Sequence, residues 1–205
     1  MTLGPPRRDV NTVGTGYLRF GKLARRRCLA TLTVLWKHRT MTWLHYRTVD
    51  SPVGSLTLAG VGSTLMHLRM TDQTHEPDRS GWQSADAGAF ADVVEQLDAY
   101  FAGSLTEFDV DLRLDGTEFQ RRVWTALRTI PYGETRSYGE VAAQIGSPGA
   151  SRAVGLANGR NPIGIIVPCH RVVGSTGGLT GYGGGIDRKR TLLALERDPV
   201  PALFE

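Results

Sequence analysis

Along residues 43–70, apolar and polar positions alternate in three short runs. Trp43 to Val49, Leu56-Thr57-Leu58-Ala59 and Leu65-Met66-His67-Leu68 each predict a strand by their period of two. Ser51-Pro52-Val53-Gly54 is a turn by proline and glycine chemistry, and Gly60 and Gly62 bend the chain between the later runs, which gives a meander. Residues 71–86 are polar, contain Pro77 and Gly81, and read as a loop. The period then changes. Phe90, Val93, Val94, Leu97 and Phe101 recur at three and four, which predicts an amphipathic helix stopped at Gly103. Val110, Leu112 and Leu114 alternate again, as a strand or an extended linker.

From Gly116 the pattern is helical. Thr117 or Asp115 caps a helix carrying Phe119, Val123, Trp124 and Leu127, and Ile130-Pro131-Tyr132-Gly133 stops it. Ser137 caps Tyr138 to Ile145, with Glu140 at capping-box spacing. Past Gly146-Ser147-Pro148-Gly149, a third helix starts near Ala150 and runs through Asn158. Helix, glycine turn, helix is the helix-turn-helix pattern. The third helix presents Ala153, Gly155 and Ala157, small residues that suit either a nucleic-acid groove or close helix packing. A closing helix, Asp187 to Glu196, turns Leu192, Leu193 and Leu195 inward. Glu196 stands at the end where the helix dipole disfavours a carboxylate, which favours a special role for it.

Ile165-Ile166-Val167-Pro168-Cys169-His170-Arg171-Val172-Val173 organises the chain. Its β-branched start predicts a buried strand that ends or bulges at Pro168. A lone cysteine in an apolar run is usually a small buried hydrophobe. An adjacent imidazole opens a second reading, because a lowered thiol pKa raises the nucleophilic thiolate fraction. Neighbours in an extended strand point to opposite faces, so either the chain turns after Pro168 or a water relays the proton. Residues 174–185 are glycine-rich, which lets backbone approach a ligand closely, but they lack phosphate-loop spacing. Tyr182 sits there without a core pattern around it.

Charge is unevenly spread. Residues 1–40 hold nine Lys/Arg against one Asp, net +8. Residues 41–116 have four basic and twelve acidic groups, net −8; residues 117–205 have eleven and seven, net +4. A polyanion should therefore meet the C-terminal half. Residues 1–40 read as a disordered tail or an upstream extension, with Arg25-Arg26-Arg27 keeping a transit peptide conceivable, and Met41 as the functional beginning. No run approaches the roughly 20 apolar residues of a membrane span. Two cysteines and five scattered histidines make neither a disulfide framework nor a metal set, and a reducing compartment fits.

The segment Ile166-Val167-Pro168-Cys169-His170-Arg171-Val172 resembles the O6-alkylguanine–DNA alkyltransferase family. Arg152-Ala153-Val154-Gly155 and Asn161-Pro162 upstream and Tyr182-Gly183-Gly184-Gly185 downstream extend the resemblance, which covers about 41–198. It implies an α+β fold: a small N-terminal antiparallel-sheet domain of RNase H-like type over 41–114, and a C-terminal helical winged helix-turn-helix domain over 115–198, with a tail at 199–205. It implies that Cys169 accepts an alkyl group from O6-alkylguanine in double-stranded DNA, once per molecule; O4-alkylthymine is left open. His170 would take the thiol proton through a water, with Glu196 orienting the imidazole. Asn161 would hold the turn between recognition helix and reactive strand. Tyr138 would press on the target phosphate and face the base. Arg152 would enter the stack that the flipped base left, and Ala153, Gly155, Ala157 and Asn158 would complete the DNA-binding face. Val172, Tyr182, Gly183 and Gly184 would line the base pocket; some members have serine where Gly183 stands, so a wider pocket is expected. The resemblance implies no cofactor, no metal and no membrane, and a cytoplasmic monomer. Two rivals remain: a winged-helix DNA-binding module in which Cys169 is packing or a sensor, and a Cys-His hydrolase, for which the sequence offers no clear oxyanion hole.

Overall fold

In the computed structural model, Met1 and residues 43–197 are described; the readings made for the 1–40 extension, Met41 and the 199–205 tail lie outside the described residues. The predicted meander is present. β1 (Leu44–Val49), β2 (Leu56–Val61) and β3 (Thr64–Met70) pair antiparallel in sequence order. A fourth strand, β4 (Trp82–Ser84), adds parallel to β1 and gives the order β3-β2-β1-β4. It lies inside the predicted 71–86 loop, because three residues are too few to show a period. The β2–β3 register shifts at Gly60, where a side chain would put Cβ 2.0 Å from the Thr64 carbonyl oxygen. Helix α1 (Ala91–Phe101) buries Val93, Leu97 and Tyr100 against the sheet's Leu56, Leu58, Leu65 and Leu68.

In the C-terminal half, α2 (Glu118–Leu127) is capped by Thr117, not Asp115, through a reciprocal box with Gln120. Helix α3 (Tyr138–Gln144) has the expected Ser137/Glu140 box. Helix α4 (Ser151–Gly159) starts with no side-chain cap. β5 (Arg136–Ser137) pairs parallel with β6 (Val172–Val173), and α5 (Ile186–Arg197) closes the chain. Val123, Trp124, Val141, Val154 and Leu192 join the same hydrophobic cluster as the sheet and α1, so the halves share one core.

They also share backbone hydrogen bonds at the free edge of β3. Leu65 pairs with the extended 111–113 segment, and Leu68 pairs with 162–164. That second pairing anchors the segment that leads to Cys169, and there the predicted strand at 165–167 fails. Pairing stops at Gly164. Ile166 N–H turns back to Gly164 O at 2.8 Å around Ile165, whose φ is +68°. Cys169 N–H then turns back to Val167 O at 2.8 Å around Pro168. The apolar run foretold burial correctly, since 161–173 is buried throughout. It could not foretell the backbone, because a buried turn and a buried strand share one apolar signature. A β-branched residue at positive φ costs on the order of 1–3 kcal/mol and persists only where its surroundings over-determine it.

Candidate functional site

Two asparagine amides over-determine this turn. Asn161 Nδ2 donates to Val167 O at 2.7 Å, and Asn161 Oδ1 accepts from Ile163 N–H at 3.1 Å. Asn158 Nδ2, from the last turn of α4, donates to Cys169 O at 3.1 Å. Carbonyls on both sides of Pro168 are thereby tied to α4 and its exit. The turn left open in the sequence is real: Cys169–Arg171 forms one turn of 3₁₀ helix. It points His170 and Arg171 toward α5.

There Glu196 receives five hydrogen bonds. Oε1 accepts from His170 Nε2 at 2.7 Å, Tyr100 Oη at 2.7 Å and Arg171 Nη2 at 2.9 Å. Oε2 accepts from Arg171 Nε at 2.8 Å and Gly133 N–H at 3.2 Å. Burial alone would raise this carboxyl's pKa; the bonds and charges of His170 and Arg171 override it and hold it at about 2. Glu196 is thus an anion and an acceptor, which requires the proton of neutral His170 on Nε2. Nδ1 keeps its lone pair and is buried without a protein partner. Burial is also the larger influence on His170 itself, whose pKa falls despite Glu196. The resting imidazole is neutral, with its basic nitrogen free.

Cys169 is 5% exposed. Burial pushes its thiol up; Asn161, Tyr182 and the charge of Lys189 pull the other way without cancelling that. Lys189 is wholly buried and spans Val172 O at 2.6 Å and Thr180 O at 3.1 Å, so it pins the glycine-rich loop to β6.

Next to these residues opens a cavity of about 620 Å³, lined by Thr74, Tyr138, Arg152, Gly155, Leu156, Tyr182 and Gly183 among others. Tyr138, Arg152, Gly155, Tyr182 and Gly183 are thus brought together as expected. Tyr138 Oη donates to Thr180 O at 3.1 Å, and burial raises its pKa, so it keeps its proton. Ala153 is exposed on α4. Four expectations need correction. Ala157 is 1% exposed, and its carbonyl accepts from Trp124 Nε1 at 2.8 Å, so it packs against α2. Asn158 is buried and braces Cys169 rather than facing a groove. Val172 is fully buried in β6. Gly184 abuts Met70, where a side chain would put Cβ 2.6 Å from Sδ. These last two lie outside the cavity lining. A Cβ on Gly183 would stand 3.1 Å from Gly159 O, a residue of the same lining.

Sequence reasoning missed Tyr100, Gly133, Arg171, Lys189 and Leu156 as parts of the site. Two signals were available. Arg171 is a charge flanked by buried apolar residues, which demands a partner. Lys189 precedes Glu196 by seven positions, on the same inward helix face as Leu192 and Leu193. Leu156, 63% exposed, is an apolar side chain beside Arg152 on the cavity rim. Among the described residues, no group of three His, Cys, Asp or Glu is placed to hold a metal.

The geometry is that of a cleft beside a helix-turn-helix, with a buried thiol in contact with Tyr182 of its lining and a neighbouring imidazole fixed by a carboxylate. Family models agree with each half. The 6-O-methylguanine DNA methyltransferase ribonuclease-like domain matches 44–114, and the DNA-binding domain of the same name matches 118–198. The chain belongs to the 6-O-methylguanine DNA methyltransferase family. The methylated-DNA–protein-cysteine methyltransferase of Mycobacterium tuberculosis is 70% identical over 159 residues, which is 78% of this chain and 96% of that protein. That of Methanosarcina acetivorans is 51% identical over 75% of this chain and 98% of its own. The crystal structure of M. tuberculosis OGT in complex with DNA superposes with a TM-score of 0.74 at 69% identity, covering 77% of this chain and 96% of that one.

Proposed function

We propose that this protein repairs O6-alkylguanine in double-stranded DNA by moving the alkyl group to Cys169 Sγ, once per molecule. The observation that carries this reading is the buried His170–Glu196 pair next to Cys169, whose thiol interacts with Tyr182 of the Tyr138–Arg152–Tyr182 cavity. Family membership and the similarity to a DNA-bound relative support it.

The chemistry follows from the resting charges. Thiol and imidazole are both neutral, so the nucleophile is made on demand. His170 Nδ1, through a water, takes the thiol proton as the base arrives, and Glu196 stabilises the imidazolium. Sγ attacks the sp3 carbon on O6; the S–C bond forms and the C–O6 bond breaks. Guanine leaves as an anion and gains one proton, balancing the one lost from the thiol. Tyr138, a protonated phenol facing the cavity, leaves its loop carbonyls and donates to the purine, where charge develops. Asn161 holds the turn that presents the thiol.

The target base must leave the stack, at a cost of a few kcal/mol. Arg152, at the exposed start of α4, fills the gap, and Leu156 and Ala153 give α4 an apolar face for a shallow groove. Tyr182 and Gly183 border the flipped base. The net +4 of residues 117–205 supports phosphate attraction. The protein acts as a monomer, without cofactor, in the cytoplasm; the free thiol of Cys169 suits a reducing compartment.

Intact-protein mass after incubation with duplex containing O6-methylguanine tests this. A gain of one methylene unit, mapped to Cys169 and never exceeding one per protein, is expected. An unchanged mass with retained DNA binding would leave a binding module; repaired base in excess of protein would overturn the single-use mechanism.

A further inference from the structure

The N-terminal half has so far supplied scaffold. One of its side chains reaches further. Tyr100, near the end of α1, is wholly buried and donates to Glu196 Oε1, the same oxygen that holds His170 Nε2. Its ring and its hydroxyl have separate work. The ring packs among Phe101, Phe108 and Tyr132, with centroids 5.3, 5.3 and 6.0 Å away. The hydroxyl turns from that apolar cluster to a carboxylate 96 residues along the chain.

We propose that Tyr100 is a positioning residue, whose hydroxyl draws charge from Glu196 Oε1 and so limits how strongly that carboxylate favours the protonated form of His170. The inference rests on His170 being the base that receives the Cys169 proton. A carboxylate oxygen shared among three donors is a weaker acceptor for each, because its charge is dispersed over more hydrogen bonds. Were Glu196 held by His170 alone, its full charge would favour imidazolium at rest, and a protonated His170 cannot take the thiol proton.

The surroundings define what else acts on the pair. The loop after α2 brings Gly133 N–H to Oε2 and the Tyr132 ring beneath the Arg171 guanidinium, 5.7 Å away. The 3₁₀ turn brings Cys169 and Arg171, and α5 brings Lys189, whose ammonium is occupied by two carbonyls. Among the described residues, Tyr100 is the one donor to this carboxylate from the N-terminal half. The ribonuclease-like half thereby helps set the pH at which the other half's thiol can be activated.

Tyr100→Phe keeps the ring and removes the hydroxyl. Single-turnover transfer from O6-methylguanine duplex, followed across the acid limb, should show that limb moved upward by roughly half a pH unit, with the plateau largely retained. Fluorinated tyrosine at position 100, a stronger donor of nearly the same shape, should move it downward and covers the case in which the phenylalanine variant folds poorly. Nitrogen NMR of His170 in the DNA-free protein should report the same two shifts in its protonation. Superimposed acid limbs and unmoved nitrogen shifts, with only a lower melting temperature, would overturn the proposal and leave Tyr100 a packing residue. Should wild-type protein transfer no alkyl group at all, the proposed function fails instead, and the His170 titration still decides the role of Tyr100.

Discussion

The two halves divide chemistry from support in an unequal way. Residues 117–205 carry the thiol, the imidazole, the carboxylate and the cavity-facing Tyr138, Arg152 and Tyr182, with net charge +4. Residues 41–116 carry net −8 and none of the groups proposed to react. Yet the acidic half is wired into the reactive segment. Tyr100 binds Glu196, Arg69 Nη1 binds Asn161 O at 3.2 Å, and Leu68 pairs with 162–164. Thr74 N–H holds Gly183 O at 2.9 Å, and Arg69 Nη2 holds Thr74 O and His75 O at 2.8 Å each. The lesson is that reacting groups cluster locally while the groups that hold them come from afar.

If that division is right, the largest effect should come from the reacting atom. Cys169→Ser should abolish alkyl transfer and leave DNA binding nearly intact, since the serine hydroxyl is not a soft nucleophile and α4 is untouched. Transfer assays and gel shifts on one preparation check this; residual transfer would break the assignment.

Next comes the charge behind the site. Arg171→Met strips Glu196 of two hydrogen bonds and leaves it buried with less compensation, which typically costs about 3–5 kcal/mol. Urea unfolding should show a loss of unfolding free energy on that scale, and a loss close to zero would mean that the pair is not closed in solution.

The support half should follow. Arg69→Met removes three carbonyl contacts, one to Asn161 O across the halves and two that fix the 74–75 loop holding Gly183. A loss of about 1.5–3 kcal/mol is expected, together with slower transfer, because Asn161 and Gly183 both lose their hold. A stability loss with unchanged transfer would confine Arg69 to scaffolding.

The smallest effect concerns His67 on β3. Burial and the nearby Arg69 lower its pKa to about 4. The unfolded chain binds a proton there near pH 6.5 and the folded chain does not, so this contribution to stability is present above 6.5 and lost as pH falls toward 4. Buried neutral His170 acts in the same direction. His67→Asn should flatten part of the acid slope of stability. An unchanged slope would assign that slope to the C-terminal half alone.

The sequence disclosed these halves unequally. The meander, α1, the Ser137 capping box and the helix-turn-helix were legible because each rests on neighbours within a few residues, while the cap of α2 was left open between Thr117 and Asp115. The Pro168-Cys169-His170 motif was legible as chemistry for the same reason. The turn at 164–168 was not, because its cause lies in Asn161, Asn158 and β3 rather than in its own apolar residues. Ala157 and Val172 were misplaced because a small or apolar residue looks the same from the sequence whether it faces DNA or core. Tyr100 was hidden among the apolar positions of an amphipathic helix, and its hydroxyl found meaning only through a partner 96 residues away.

One further consequence follows from the depth at which the sulfur lies. On the proposed mechanism each molecule is used once, so a thiol spent on peroxide or a stray electrophile is a molecule lost to repair. At 5% exposure, with burial holding it protonated, Cys169 is shielded both from collision and from the ionisation such reagents need. On that mechanism the burial of the thiol works as a safety catch against reagents other than the target base. Free protein should therefore react with iodoacetamide far more slowly than an exposed cysteine peptide at the same pH, while remaining competent for alkylated DNA. Its lifetime before use would then be set by how often the buried thiol becomes exposed, and not by the intrinsic reactivity of a thiol.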